Sequence, residues 1–573
     1  MGLGSFQRLL SLFLAILSLG YVTANFDVPW SSDKFGPDGP WQAVRITVGG
    51  NDSSLRISAQ NTSDLSVYPG GTWECTTFTS TYCEDFPDST CGAGGAWDPD
   101  LAQAAQQHIT FQADWIDDSS GINVRNASRI ILGLTIAGTT AWNASLVSAT
   151  DGNISYPTFP NGIVSGVPLG KLPLGAVDTY QIFTLGNKVS QEYHGYLFNG
   201  WMYESRKIAS YSYGLHIGSA AFKYPGSLVF GGYNKGRVIE PVTSFTDFER
   251  TDLLDISIGT ADGASPFNFT SKEKLLSTGP VSVAVRPLSP YLSLPRATCD
   301  NLAQLLPVTF DSGLKYYLWN TEDPLYKKIV SSPAYIGFTF PPATGSTDNV
   351  IIKVPFALLN LTLEHPITES GISKQYFPCV PLDDNLVLGR AFLQAAFIGR
   401  NWRTKLTWLA QAPGPGVSRR GLGDQNIDIP DDATTISGFT GPNLFVESWK
   451  GQWSLIQSQE PSPPSPPSPP GNVTTTQSTP SNLSTGAKIG IGIGAALGVI
   501  VVFCALVWSW RRHRAGGRTN TVLTETGGNN INTTQHSHQE YNEWVARKPT
   551  SEMPVHFNNP IEAPDTSIAN SRH

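Results

Sequence analysis

LVLGRAFLQAAFIGRNWRTKLTWLAQA, residues 386–412, is the stretch that most constrains the fold. It reads as a strand running into Leu388-Gly389-Arg390, a short helix, and a closing strand over residues 404–411. Earlier, YGLHIGSAAFKYPGSLVFGGYNKGRV (213–238) gives an apolar run, a Pro225-Gly226 turn, then Ser227-Leu228-Val229-Phe230-Gly231-Gly232. YIGFTF (335–340) and VIIKVPFALLNLTL (350–363) alternate like paired strands. These pieces predict a mainly β fold.

Composition agrees. Charged residues are 15% of the 573, and Gly and Pro are abundant, so strands and turns should outweigh long helices. The length exceeds one compact domain. With 38 Lys+Arg against 46 Asp+Glu the chain is mildly acidic, which argues against nucleic acid as a partner.

The ends carry targeting signals. Arg8, the apolar run Leu9–Leu19 and the small residues before Asn25 read as a signal peptide over residues 1–24. Ile489–Trp510 has no charge and is long enough to cross a bilayer. Arg511, Arg512, Arg514 and Arg518 follow it, against Lys488 before it, so the C-terminus should face the cytoplasm. The expected location is therefore the plasma membrane or a secretory-pathway membrane, with the N-terminal head extracellular or lumenal. The glycines of the span permit close helix approach and hence a homodimer. Residues 460–488, rich in Pro, Ser and Thr, read as a stalk, and 511–573 as a disordered cytoplasmic tail. The folded head is then 25–459.

Sequons in head and stalk fall at Asn51, Asn61, Asn126, Asn143, Asn153, Asn268, Asn360, Asn472 and Asn482, which predicts a glycoprotein. An oxidising compartment predicts a Cys299–Cys379 disulfide and one pair among Cys75, Cys83 and Cys91, assigned here to Cys75 and Cys83. Cys91 is left over. There is no HExxH, CxxC pair, GxGxxG after a strand, P-loop or GxSxG, so no metal or cofactor is expected.

GSLVFGGYN (226–234) resembles the end of the first lobe of pepsin-like aspartic peptidases, and residues 386–412 resemble the close of their second lobe. The likeness covers about 40–411 and is nearest to the membrane-anchored pepsin-like proteins of filamentous fungi, which share the signal peptide, stalk and single span. It implies a bilobal acid-protease fold, with lobes of about 40–240 and 241–411, an extension over 412–459, and a cleft between the lobes. Each lobe would normally supply one Asp. Two carboxylates at hydrogen-bonding distance share one proton; the ionised one activates water while the protonated one polarises the scissile carbonyl.

Neither Asp is found in its expected context. In the first lobe, apolar alternation points to Gln60 and the spacing of the fungal relatives to Ser58; Asp64 lies past the turn. In the second, VSVAVRPLSPYLSLP (281–295) puts Arg286 at the acidic position, before a helix in RATCDNLAQLLPV (296–308). Asp311-Ser312-Gly313 spells the catalytic tripeptide, but the segment before it is helix-like and Leu314 stands where a hydroxyl would brace the loop. It reads as a turn between a helix and a strand, with the catalytic role as the alternative. ITFQADWIDDSSG (109–121) is the expected flap and carries Trp115.

The sequence thus supports a single-span glycoprotein with an inactive pepsin-like head that binds a peptide or cell-wall ligand in its cleft. A divergent membrane-anchored aspartic endopeptidase and a structural cell-surface glycoprotein are the alternatives.

Overall fold

The computed structural model describes residues 25–457 except 50, 53–56, 59–61, 74, 79, 85–91, 98–108, 118–121, 150–153, 156–158, 164–168, 185–191 and 417–422. The expected signal peptide (1–24), stalk (460–488), apolar run 489–510 and tail (511–573) lie outside the described residues. Among the described residues, no helix is long and apolar enough to cross a membrane.

The architecture is mainly β, in several sheets. Alternation sets the half-buried strands. In Val350–Pro355, Val350, Ile352 and Val354 face the core while Ile351 is exposed. This strand pairs antiparallel with Ala334–Phe340, which pairs with Asp255–Thr260 in turn. Residues 44–196 build one large sheet whose hairpin Ile109–Asp117/Ile122–Ile136 contains the expected flap. Residues 250–388 build three smaller ones.

A six-stranded sheet draws on both halves. Its order is Phe26–Asp27, Ser227–Phe230, Ser212–His216, Ala396–Asn401, Leu406–Gln411, Ile239–Phe245. The halves join where Gly214 faces Gly399. Ser212–His216 and Ala396–Asn401 are buried at every position, which is why they read as continuous rather than alternating runs. Gly214 is required by close packing: a Cβ there would come within 2.3 Å of the Tyr233 Cβ.

The far face of this sheet is covered by the chain's own extension. Asn426–Asp428 pairs with Gly232–Asn234, and Phe439 bridges to Ile239. Trp408 Nε1 donates to the Thr434 carbonyl (3.1 Å), and Tyr233, Phe397, Trp408 and Ile429 form a separate apolar cluster beneath. Beyond it, Trp449 and Trp453 stack at 5.3 Å, and Trp449 meets the edge of Phe222.

Candidate functional site

The site is built from two loops with the same local wiring. In the C-terminal half, Val281–Val285 runs into Arg286-Pro287-Leu288-Ser289-Pro290, returns as Leu292–Leu294, and meets the helix Arg296–Ala303 after Pro295. The short strand Val387–Leu388 lies between, parallel to the first strand and antiparallel to the second. Leu292–Leu294 also pairs in parallel with Cys379–Pro381. The Arg286 amide donates to the Leu388 carbonyl (3.1 Å).

The N-terminal half repeats this. Ser63–Pro69 runs into Gly70-Gly71, returns as Cys75–Phe78, and leads to the helix Ser80–Glu84. Gly170–Leu172 lies between, parallel to the first strand and antiparallel to the second, and Cys75–Phe78 pairs in parallel with Thr139–Ala149. The Gly70 amide donates to the Leu172 carbonyl (2.9 Å). The interval from Gly70 to Ser80 equals that from Arg286 to Arg296, and Cys83 stands to Gly70 as Cys299 stands to Arg286. Gly70 is therefore the counterpart of Arg286.

The sequence pattern points instead to Ser58 or Gln60 for the first position, and neither lies in the loop equivalent to that of Arg286. Ser58 ends the strand Ile57–Ser58, which pairs with Asn51–Asp52 in the outer part of the hairpin that Val44–Val48 forms with Ser63–Pro69. Gln60 lies outside the described residues. Asp64 sits in that hairpin too, its Oδ1 accepting from Thr47 Oγ1 (2.6 Å).

The two loops touch. A Cβ on Gly70 would come within 2.8 Å of Leu288 Cγ and 3.3 Å of Pro287 Cβ; one on Gly71 would lie 3.1 Å from Leu288 Cδ1. Both glycines have positive φ, +155° and +74°. Leu288 thus fills the space in front of Gly70. Arg286 is not free either: its Nε donates to Glu249 Oε2 at 2.5 Å, with the two side chains 27% and 19% exposed. A guanidinium stays charged at any working pH and cannot take up the proton that a catalytic carboxylate must.

A buried cation holds the loop from behind. Arg390 Nη1 donates to the carbonyls of Leu288 (2.8 Å) and Pro287 (3.2 Å). Its guanidinium lies over the rings of Tyr68 (4.2 Å) and Trp41 (5.0 Å) from the other half. Trp41 Nε1 donates to Asp38 Oδ1 (2.8 Å), and Tyr376 OH donates to the Asp38 carbonyl (2.7 Å). Burial first, and the Asp38 charge second, push the Tyr376 and Tyr291 hydroxyls well above the usual tyrosine range, so they act as neutral partners.

Asp311 is elsewhere and has another task. It ends Val308–Asp311, which forms a hairpin with Tyr316–Trp319, so the turn joins two strands rather than a helix and a strand. Its Oδ1 accepts from the amides of Gly313 (2.9 Å) and Leu314 (3.0 Å), and Lys374 Nζ is 4.0 Å from Oδ2. The carboxylate is bound to its own turn.

Cys299–Cys379 is a disulfide, tying the helix Arg296–Ala303 to the strand Cys379–Pro381. The Cys75–Cys83 assignment is corrected. Cys83 is disulfide-bonded to a residue outside the described ones, while Cys75 is a free, buried thiol. Cys75 belongs to the core at 1% exposure, and burial pushes its thiol up to about 12. Of the sequons, Asn51 and Asn126 lie in strands, Asn143, Asn268 and Asn360 have described side chains, and Asn61, Asn153, Asn472 and Asn482 lie outside the described residues. Among the described residues no group of three or more His, Cys, Asp or Glu could hold a metal.

No family model matches the chain, and no curated protein matches it either.

Proposed function

We propose that residues 25–459 are a pepsin-like bilobal head that has lost its proteolytic centre and serves as a binding or sensor module, carried on a stalk and a single membrane span. Three features support the head's ancestry: the duplicated strand–loop–strand–helix unit, the strand threaded between its two arms in each half, and the six-stranded sheet joining the halves.

One observation carries the loss of activity. The paired loop positions hold Gly70 and Arg286, Leu288 packs where a side chain on Gly70 would stand, and Arg286 is paired with Glu249. Neither Gly70 nor Arg286 can hold or release the proton that two carboxylates would share, so neither half of the water-activating chemistry remains. The endopeptidase alternative would need Asp311, which is engaged by its own turn amides.

The test uses pepstatin, whose central hydroxyl is bound by two facing carboxylates in active members of the family. Calorimetric titration of the purified protein at pH 4 should give no binding. Binding in the micromolar range or tighter would overturn the proposal. Peptide and soluble wall-polysaccharide libraries screened on the wild type and on Leu288→Trp then address the cleft. A ligand of the cleft is weakened by the larger side chain; one that is unaffected binds elsewhere.

A further inference from the structure

We propose that Asn268 carries an N-linked glycan, borne on the segment that packs against residues 455–456 of the head. The assignment rests on the secretory reading of the chain.

The sequon Asn268-Phe269-Thr270 lies in the segment between the strands Asp255–Thr260 and Ser271–Lys272. Asn268 and Thr270 are exposed. Phe267 and Phe269 point the other way, stacked on each other at 4.9 Å, with Phe267 packed beside Phe356 at 6.2 Å. The stacked aromatic pair anchors the segment and leaves the sequon's Asn268 and Thr270 both exposed. Transfer joins the anomeric carbon of a lipid-diphosphate-linked oligosaccharide to Asn268 Nδ2. The anomeric C–O bond breaks, the lipid diphosphate departs, and one amide proton is lost to a base.

The other described sequon side chains differ. Asn143 is half-buried in a strand, and its Nδ2 donates to the His194 carbonyl (3.4 Å). Asn360 is half-buried, its Oδ1 accepts from Tyr326 OH (3.2 Å), and the amide of its partner Thr362 is bound to the Gly39 carbonyl (3.0 Å).

The position gives the glycan a purpose. The segment that bears Asn268 meets the last described residues of the head: the Ala264 amide donates to the Ile456 carbonyl (3.0 Å), and a Cβ on Gly263 would lie 3.6 Å from Leu455 Cδ2. Leu455 is 56% exposed. An exposed apolar residue in a segment without regular secondary structure is a ready protease target. A bulky, hydrated glycan on the segment that packs against it would shield that stretch.

The test is full-length protein made in a eukaryotic secretory host, treated with an amidase that turns each occupied asparagine into aspartate and read by mass spectrometry. Asn268 should be converted in most molecules, Asn143 and Asn360 in few. Asn268→Gln and Thr270→Val remove the sequon from opposite ends; both should release the head into the medium several-fold faster than wild type, and Asn143→Gln should not. Conversion at Asn472 or Asn482 without conversion at Asn268 overturns this assignment alone. No conversion anywhere overturns it together with the secretory reading. Unchanged head release in both variants overturns the shielding role.

Discussion

Gly70 has no side chain, and that lets Leu288 of the opposite loop lie against it. Gly70→Ala or Gly70→Asp would meet both a positive φ and the Leu288 Cγ, so each is expected to lose ~1–3 kcal/mol of stability, visible as a lower thermal midpoint. A variant melting with wild type would mean the loops do not touch. The double variant Gly70→Asp/Arg286→Asp should show no acid-dependent cleavage of a denatured protein, because the new carboxylate competes with Leu288 for one space. Asp311 makes the opposite kind of contribution. Asp311→Ala removes the acceptor for two turn amides and should lose ~0.5–1.5 kcal/mol, while Asp311→Asn, which keeps an acceptor, should melt close to wild type.

Among the elements, the strand Ser212–His216 carries a pH dependence. His216 is fully buried, its Nε2 bonded to the Gln394 carbonyl (2.9 Å), and burial, aided by the charge of Arg237, lowers its pKa from 6.5 to about 3. The unfolded chain takes up this proton near pH 6.5 and the folded one only near 3. Stability is therefore complete above about pH 6.5 and falls as pH drops toward 3, by at most ~1.4 kcal/mol per pH unit from this group. Denaturant unfolding at pH 7, 5 and 4 should show a shallower decline in His216→Gln; an unchanged slope would assign the acid sensitivity to other groups. The second loop could be read because Arg286 follows alternating apolar residues and precedes Pro295 and a helix at the usual spacing. The first loop could not. Its hairpin extends from Val44–Val48 through Ser63–Pro69, so apolar alternation ran past Ser58 and Gln60, and Pro69-Gly70-Gly71 looks like an ordinary turn. The usable signal was the equal distance from Gly70 to Cys83 and from Arg286 to Cys299. Cys75 misled because neither spacing nor compartment reveals that a thiol is enclosed by core residues.

Across the head as a whole, the extension closes the sheet that unites the halves. A chain ended after Gly416 would uncover Tyr233, Phe397 and Trp408, which are 3%, 1% and 1% exposed, at roughly 1.5–3 kcal/mol for each large side chain. It should be recovered aggregated or unfolded; a soluble, cooperatively melting product would show that the extension is dispensable. The two halves are held by one sheet, by the Arg390 contacts and by this strap; in the proposed reading packing, and no acidic pair, sets the floor of the cleft between them. The most direct test is digestion of a denatured protein by the purified molecule from pH 3 to 7, with and without pepstatin, for wild type and Asp311→Asn. No acid-dependent cleavage in either is the predicted result. Pepstatin-sensitive cleavage that disappears in Asp311→Asn would contradict it and place the catalytic centre at the hairpin turn.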